Sequence, residues 1–328
     1  MHERIYRSLR KMLHFSFLKV NCFLKNTAAI FPFFFLLLLQ TNVFAQDDLL
    51  KQLQQAAPPV NEDVIATFKG DKIVNIQTNE SLQKKNLDFR VNHQFGNIGK
   101  ESGGGVHTLY GFDQSNDIMI ALHYGITDRI TVGVSRCKRN ENLEALGKVK
   151  ILQQTTDGKA PFAITLFGNV TMTTKSGEFV DNMKHRLTYC GQVIFARKFS
   201  SEFSLEIVPS ILHRNLVPTD DRNEVYSLGA GARWKFTHST SLIADYFYSF
   251  NREGLSEKHV APVGIGFEIE TGGHVFSLMF TNASGILEND YLANTTDDWE
   301  KGGIKFSFII SRMFKFGKEE KQLTGKSS

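Results

Sequence analysis

The chain has 328 residues and a formal net charge of +4, and 12% of its residues are aromatic, including 28 Phe. The first 45 residues hold six Lys and Arg and one acid, so the rest of the chain carries 32 basic and 33 acidic residues. This balance excludes the basic excess of a nucleic-acid-binding protein. Cys137 and Cys190 are the cysteines beyond residue 45, which excludes a disulfide-dense scaffold and leaves one bridge open.

Residues 1–45 have the pattern of a secretory signal peptide. A basic stretch precedes the apolar run AAIFPFFFLLLL (28–39), which is too short to span a bilayer. Small residues before Gln46 predict cleavage near Ala45-Gln46. Met12 is an alternative start. The competing interpretation of the apolar run is a buried or membrane-spanning helix.

Residues 46–86 form a predicted leader. DDLLKQLQQAA (47–57) predicts a short amphipathic helix ended by two prolines, and VIATFKGDKIVNIQT (64–78) predicts two short strands around Gly70-Asp71. Two interpretations remain open for this leader. It is a plug or periplasmic cap for a barrel mouth, or it is an ordered segment packed on the rim.

From Leu87 to Phe316 the chain alternates apolar and polar residues, as β-strands between two environments do. In LDFRVNHQF, for example, Phe89 falls on one face and Asp88 and Arg90 on the other. No stretch after residue 87 has a sustained helical period. Twelve strands are predicted, near 87–95, 118–126, 129–136, 148–153, 162–173, 186–199, 203–214, 225–236, 241–250, 261–270, 274–282 and 304–316.

The connections between these strands alternate in length, which separates a membrane barrel from a soluble sandwich. Outer-membrane barrels have short periplasmic turns, long external loops and an even strand number. The shorter turns lie near 127, 201, 238 and 272, and aromatic residues that fit an interfacial girdle lie beside them. The predicted external loops are 96–117, 137–147, 174–185, 215–224, 251–260 and 283–302. We therefore predict an all-β fold, an antiparallel up-and-down transmembrane β-barrel of about 12 strands at 87–316, followed by a polar tail at 317–328.

Four short motifs occur in order along the chain: ATFKG (66–70), HQFG (93–96), GFD (111–113) and YGITDRITVG (124–133). Together they resemble a domain-of-unknown-function family of exported β-barrels of Gram-negative bacteria. The resemblance implies a location in the cell outer membrane and a barrel fold, and it brings no catalytic residues.

The end of the last strand resembles the assembly signal of outer-membrane barrels. That signal is an aromatic residue at alternate positions, supplied here by Phe314 and Phe316. The resemblance implies two partners, the outer-membrane lipid and the barrel assembly machinery.

No motif for catalysis, cofactor binding or metal binding is found, so we expect neither an enzyme nor a cofactor. An outer-membrane lipase would need a Ser and a His on the same outward row, whereas the strand serines fall on the inward row. The acids of the last long loop, Glu288, Asp290, Asp297, Asp298 and Glu300, lack the spacing of an EF-hand loop. We expect them to lie in a solvated surface loop.

The inward rows carry ten predicted bases and five acids. Two functions fit such a lumen. A surplus of bases predicts a narrow channel for small anionic solutes, and mutual pairing of the charges predicts a non-conducting structural or docking barrel. The lumen-lining candidates are Arg90, Arg129, Arg233, Lys235, Asp245, Glu268 and Lys305.

Overall fold

The computed structural model describes residues 62–176, 182–252, 258–271 and 274–316. The predicted signal peptide at 1–45, the predicted helix at 47–57 and the predicted polar tail at 317–328 lie outside these residues. The strands are β1 (Asn86–Asn97), β2 (Ser115–Thr127), β3 (Ile130–Cys137), β4 (Asn142–Leu152), β5 (Ala163–Thr173), β6 (Leu187–Lys198), β7 (Phe203–Arg214), β8 (Glu224–Lys235), β9 (Thr240–Ser249), β10 (Val263–Thr271), β11 (His274–Thr281) and β12 (Lys305–Lys315).

The twelve strands form one closed antiparallel barrel. Each strand pairs with its neighbours in sequence, and β1 pairs with β12 to close the sheet. The closing register places Leu87 opposite Phe314 and Arg90 opposite Ser311. A closed barrel has no unpaired strand edge, so its backbone groups are satisfied within the sheet, as a bilayer requires. The predicted fold class is confirmed.

The two faces of the sheet have different environments. On most strands, burial alternates residue by residue, with the outward row apolar and the inward row buried and often polar. In β9, for example, Asp245 and Phe247 are buried while Tyr246 and Tyr248 are exposed. The predicted strand phase therefore gives an apolar outer surface and a mixed interior.

The connections group at the two ends of the barrel. The leader end is defined by the start of β1 and by the connections 128–129, 153–162, 199–202, 236–239 and 272–273. The loop end is defined by the connections 98–114, 138–141, 174–186, 215–223, 250–262 and 282–304.

One predicted external loop is wrong. The sequence pattern predicts a long loop at 137–147 before a short strand at 148–153, whereas β4 runs over Asn142–Leu152 and the connection is 138–141. The physical reason is that Glu144 is buried on the inward row, so an acidic residue that resembles loop sequence belongs to a strand. The strict alternation of loop lengths fails here, because the ten-residue connection 153–162 follows at the leader end.

Residues 66–80 form a hairpin inside the barrel, here called the inserted hairpin. Lys72 and Gln77 form an antiparallel β-bridge, and the amide of Ile73 donates to the carbonyl of Ile76 at 3.0 Å. The chain therefore reverses at 73–76, not around Gly70-Asp71 as predicted. Residues 73–76 are all buried.

The connection 282–304 also enters the barrel and is here called the inserted loop. It carries the helix α1 (Glu288–Asn294), which contacts β6, β7, β8 and β9. The prediction of a solvated surface loop is therefore wrong for its first half. Glu288 and Asp290 are both 0% exposed, since the interior supplies partners for their carboxylates.

Two further features bear on the sequence analysis. Within the described ranges, no helix is long and apolar enough to cross a membrane. Cys137 and Cys190 are buried and free, so they do not form the one bridge that the composition left open.

Candidate functional site: the occupied barrel interior

The turn of the inserted hairpin is bound by a single carboxylate of the barrel wall, which is formed by the twelve strands. Asp245 Oδ2 accepts hydrogen bonds from the amides of Val74, Asn75 and Ile76, at 3.2, 2.5 and 3.0 Å. Its Oδ1 accepts from Asn75 Nδ2 at 2.8 Å. Three amides that the tight turn leaves without strand partners are thereby satisfied inside the barrel. Charge-assisted bonds of this kind are among the stronger hydrogen bonds in proteins.

Glycines of the wall make room for that turn. A Cβ atom at Gly264 would lie 2.6 Å from both Val74 Cβ and Asp245 Oδ1. A Cβ atom at Gly231 would lie 2.8 Å from Ile73 Cδ1. Both distances are shorter than those of real Cβ contacts. The added atom at Gly264 would meet the base of the Val74 side chain, so the close approach of the hairpin requires glycine there, whereas at Gly231 the end of the Ile73 side chain would have to shift.

Asp71, on the first arm of the hairpin, joins a buried charge cluster. Its carboxylate forms an ion pair with Arg90 of β1, and Asp71 Oδ2 lies 2.7 Å from His123 Nδ1 of β2. Arg90 also donates to Asp88 Oδ2 at 2.8 Å. A buried arginine needs such partners, because desolvation makes an unpaired charge costly.

Lys148 of β4 binds both arms of the hairpin through the backbone. Its Nζ donates to the carbonyl oxygens of Asp71, at 2.9 Å, and Thr78, at 3.0 Å. The ammonium group therefore holds the two arms together at the point where they run side by side.

The base of the hairpin is bound by charges near the leader end. Lys69 Nζ lies 2.9 Å from Glu270 Oε2, and Arg233 pairs with both Glu268, at 2.8 Å, and Glu270, at 3.0 Å. Glu80, on the return arm, lies 3.8 Å from Lys150. Hairpin and wall are thus complementary in charge along most of the hairpin's length.

From the other end, α1 brings two acids into the interior. Glu288 accepts hydrogen bonds from Asn169 of β5 at 2.7 Å and from Gln77 of the hairpin at 3.1 Å. Asp290 accepts from Asn140 at 2.9 Å and lies 3.7 Å from Arg139. Burial raises the pKa of Asp290 to about 7, although the Arg139 charge opposes this shift.

The two inserts meet at Lys72. Its Nζ donates to the carbonyl of Ile286 at 2.5 Å, lies 4.0 Å from Glu288 Oε1 and stands 5.2 Å from the centre of the Tyr291 ring. The hairpin and the inserted loop therefore contact each other directly, and their contact is polar and buried.

Apolar side chains fill the space around these contacts. Phe68, Ile73 and Ile76 of the hairpin and Tyr291 and Leu292 of α1 belong to one buried cluster. The wall contributes to the same cluster with Leu146, Phe167, Ile194, Val208, Leu212, Val225, Ile243, Phe247, Met279 and Ile309. The interior between the inserts is therefore packed by side chains from both inserts and from the wall.

The lumen-lining candidates fall into three groups. Arg90, Arg233, Asp245, Glu268 and Lys305 are buried on the inward row, and Lys305 pairs with Asp297 of the inserted loop. Lys235 is half-buried near the leader end. Arg129 is exposed, because it lies in the β2–β3 turn and not on a strand.

The charge balance of the wall differs from the predicted excess of five bases. Arg129 and Lys315 are exposed, whereas Asp117 and Glu144, which the predicted strand boundaries place in loops, are buried on the inward row. Among the described strand residues, eight buried or half-buried bases now face seven such acids on the inward rows.

Sequence reasoning missed the residues of the inserts that bind the wall and each other. Asp71, Lys72 and Asn75 lie in the predicted leader, whose role was open, and Glu288 lies in a predicted surface loop. A usable signal was present in Gly231 and Gly264, two glycines inside predicted strands, because a strand glycine often marks a close backbone approach.

The other predicted groups are placed as follows. Phe314 and Phe316 are exposed at the end of β12, near the leader end of the barrel. His93 of β1 stacks on Phe308 at 5.5 Å between ring centres, and His213 Nδ1 of β7 lies 3.1 Å from Glu224. In the described part of the chain, no group of three His, Cys, Asp or Glu residues could hold a metal ion.

Comparison with solved structures finds barrels of the porin type. The chain is 8% identical to a NanC porin, with a TM-score of 0.43 over 70% of this chain and 100% of that chain. A KdgM porin in complex with disordered oligogalacturonate is also 8% identical, with a TM-score of 0.41 over 71% and 99%. A mutant of the Rh. blastica porin is 15% identical, with a TM-score of 0.29 over 61% and 56%.

Sequence comparison gives the family. No curated protein sequence matches the chain significantly. The model of a family described as "Membrane bound beta barrel domain (DUF5777)" matches residues 68–314, from the first arm of the inserted hairpin to the end of β12. The match covers three quarters of the chain and confirms the resemblance drawn from its motifs. The chain therefore belongs to this family of membrane-bound β-barrels.

Proposed function

We propose that this protein is an outer-membrane channel for small polar solutes, held closed by the inserted hairpin and the inserted loop. The observation that carries the proposal is the distribution of partners in the interior. Asp245, Lys148 and Arg90 of the wall are bound by the hairpin, and Lys72 of the hairpin is bound by the inserted loop.

These wall charges would need another partner if the hairpin left. Water is the partner that a lumen can supply, since an unpaired charge in an apolar space is strongly disfavoured. A wall lined with charges thus suits two states, one filled by the hairpin and one filled by water. A barrel of 12 strands falls between side-chain-filled barrels of 8 strands and open porins of 16.

The proposal places no anion preference on the channel. That preference depended on a surplus of five bases, and the described wall has eight bases against seven acids. The proposed solutes are therefore small and polar, with no preferred sign of charge.

The location in the outer membrane is part of the proposal. Closed barrels with short turns at one end and long loops at the other are typical of that membrane. We infer that the leader end faces the periplasm, so that the inserted hairpin enters the lumen from that side, and that Phe314 and Phe316 present the end of β12 to the barrel assembly machinery. We also infer a non-enzymatic role.

A second candidate function is a non-conducting structural or docking barrel. The packing of Phe68, Ile73 and Ile76 into the interior favours it, because burial of three large apolar side chains opposes withdrawal of the hairpin. Under this alternative, the inserts are a permanent core.

Planar-bilayer conductance separates the two functions. The mature protein should be closed. Gly264→Val should open it, because the new side chain would occupy the space of Val74 and displace the hairpin turn. The matched control is Gly147→Val, where an added Cβ atom meets no atom within 4 Å. Deletion of residues 46–80 should open the channel as well.

The alternative makes the opposite prediction. If Gly264→Val and the deletion variant both refold as barrels and remain closed, the hairpin does not gate a channel and the docking barrel is favoured. Circular dichroism of the refolded protein verifies the barrel before each recording.

A further inference from the structure

We propose that residues 106–112 of the first loop-end connection insert into the membrane leaflet that adjoins the loop end and anchor the barrel there. The segment has the sequence VHTLYGF and carries Val106, Leu109, Tyr110 and Phe112 as exposed apolar side chains. Val106 is 77% and Leu109 64% exposed, and four large exposed apolar side chains within seven residues form the kind of patch that marks an interaction surface.

The first argument is continuity with the lipid-facing surface. The ring of Phe112 lies 5.3 Å from that of Phe95 of β1 and 5.5 Å from that of Phe306 of β12. Phe306 in turn lies 5.5 Å from Phe280 of β11. Phe95, Phe280 and Phe306 are outward residues of the barrel, so Phe112 extends their apolar surface beyond the strands. The loop that carries Phe112 therefore lies on the side of the barrel that faces lipid.

The second argument is the backbone of the segment. Leu109 and Tyr110 have positive φ angles of 47° and 56°. Bulky residues seldom adopt this conformation, and its cost is usually met where a side chain must be held in a particular place. Here the conformation leaves two large apolar side chains on the surface.

The third argument is that hydrogen bonds within the connection fix the conformation of the segment. Thr108 is buried, and its Oγ1 donates to the carbonyl of Gly105 at 3.1 Å and accepts from the amide of Gly111 at 3.1 Å. The amide of Tyr110 donates to the carbonyl of Gly105 at 2.7 Å. The amides of Thr108, Tyr110, Gly111 and Phe112 thus have acceptors within the connection, which lowers the cost of placing this loop at the membrane interface.

The rest of the connection is fixed to the neighbouring connection 282–304. The amide of Gly99 donates to the carbonyl of Gly302 at 2.8 Å, and Ser102 Oγ donates to the carbonyl of Lys301 at 3.1 Å. Tyr and Phe are enriched where proteins meet the boundary between headgroups and acyl chains. Lipid is therefore the occupant that fits an apolar, aromatic surface continuous with the lipid-facing strands.

Nitroxide accessibility in lipid bilayers tests the proposal. Single cysteines are introduced as Val106→Cys or Leu109→Cys, in full-length mature protein with Cys137→Ala and Cys190→Ala, and are spin-labelled. Glu101→Cys is the matched control, since Glu101 is exposed on the same connection and carries a charge. Collision rates are measured with oxygen, which concentrates in the bilayer, and with a water-soluble nickel chelate.

The proposal expects labels at 106 and 109 to favour oxygen over the nickel chelate several-fold more than the label at 101. It is overturned if the labels at 106 and 109 meet the nickel chelate as readily as the label at 101, because the segment would then lie in water. It is also overturned if both reagents are excluded, because the segment would then be covered by protein. Val106 has no positive φ, so its variant remains informative if Leu109→Cys fails to fold.

Discussion

Asp245→Asn should release the turn of the inserted hairpin while leaving the barrel intact. The carboxylate accepts four hydrogen bonds, three from the amides of residues 74–76 and one from Asn75 Nδ2. The amide of an asparagine keeps one acceptor oxygen and turns an NH₂ group toward buried donors. We therefore expect about two of the four bonds to be lost.

The magnitude follows from the type of bond. A hydrogen bond to a charged group contributes about 1.5–3 kcal/mol, so losing two weakens the docking of the hairpin by about 3 kcal/mol at the low end of that range. Since 1.4 kcal/mol corresponds to a factor of ten, the ratio of undocked to docked hairpin should rise by about a hundredfold.

Amide hydrogen exchange measures this ratio directly, because exchange of a buried amide requires local opening. Peptides covering 72–78 should exchange about a hundredfold faster in Asp245→Asn, with the strand peptides unchanged. Ser241→Ala is the control, since Ser241 is buried on the same strand. If exchange at 74–76 is no faster in Asp245→Asn than in Ser241→Ala, Asp245 does not hold the hairpin.

Three more predictions follow from the same interior and its outer surface. Leu166→Arg, on the outward row of β5, should cost about 2–4 kcal/mol if it lies near the bilayer midplane. Urea refolding into lipid measures this cost, and a cost equal to that of Leu166→Ala would show that Leu166 does not face the apolar part of the bilayer. Lys72→Met and Glu288→Gln should each speed amide exchange in α1, and each should speed it by less when the other substitution is present. If the effects of the two substitutions on the free energy of opening simply add, the two inserts are independent. Because the raised pKa of Asp290 means that folding takes up a proton, docking of the inserted loop should weaken as the pH rises from about 4 to about 7. Exchange in α1, corrected for intrinsic rates, should report this weakening, and Asp290→Asn should abolish it; an unchanged pH profile in that variant would contradict the assignment.

The strands could be predicted because their signal is local. A period of two and the placement of turn residues determine where each strand begins and which face its side chains take, and these patterns do not depend on distant parts of the chain. The predicted strand at 148–153 is shorter than the observed β4, and the reason also lies in the local sequence. Asn142 and Glu144 are polar residues on the inward row, and polar residues beside a turn resemble loop sequence.

The contents of the barrel could not be predicted in the same way. A polar inward residue has the same pattern whether it faces water or another segment of the chain, so Asp245 gave no sign that it binds the hairpin turn. Ser307 illustrates the consequence. The strand pattern predicts that Ser307→Arg is mild because it faces the lumen, but Ser307 is 3% exposed and donates to Asn92 Oδ1 at 3.0 Å. Arginine there would be severely overpacked.

The inserted hairpin and the inserted loop each immediately precede one of the two strands that close the barrel. The hairpin is joined to β1 by residues 81–85, and the inserted loop leads directly into β12. Because the hairpin enters and leaves by the same end, it crosses no strand and threads through no closed ring. Its withdrawal therefore breaks no hydrogen bond between strands, and the sheet can stay sealed throughout. The pairing of β1 with β12 that closes the barrel joins two segments about 200 residues apart in the chain, and both inserts lie inside the closed barrel.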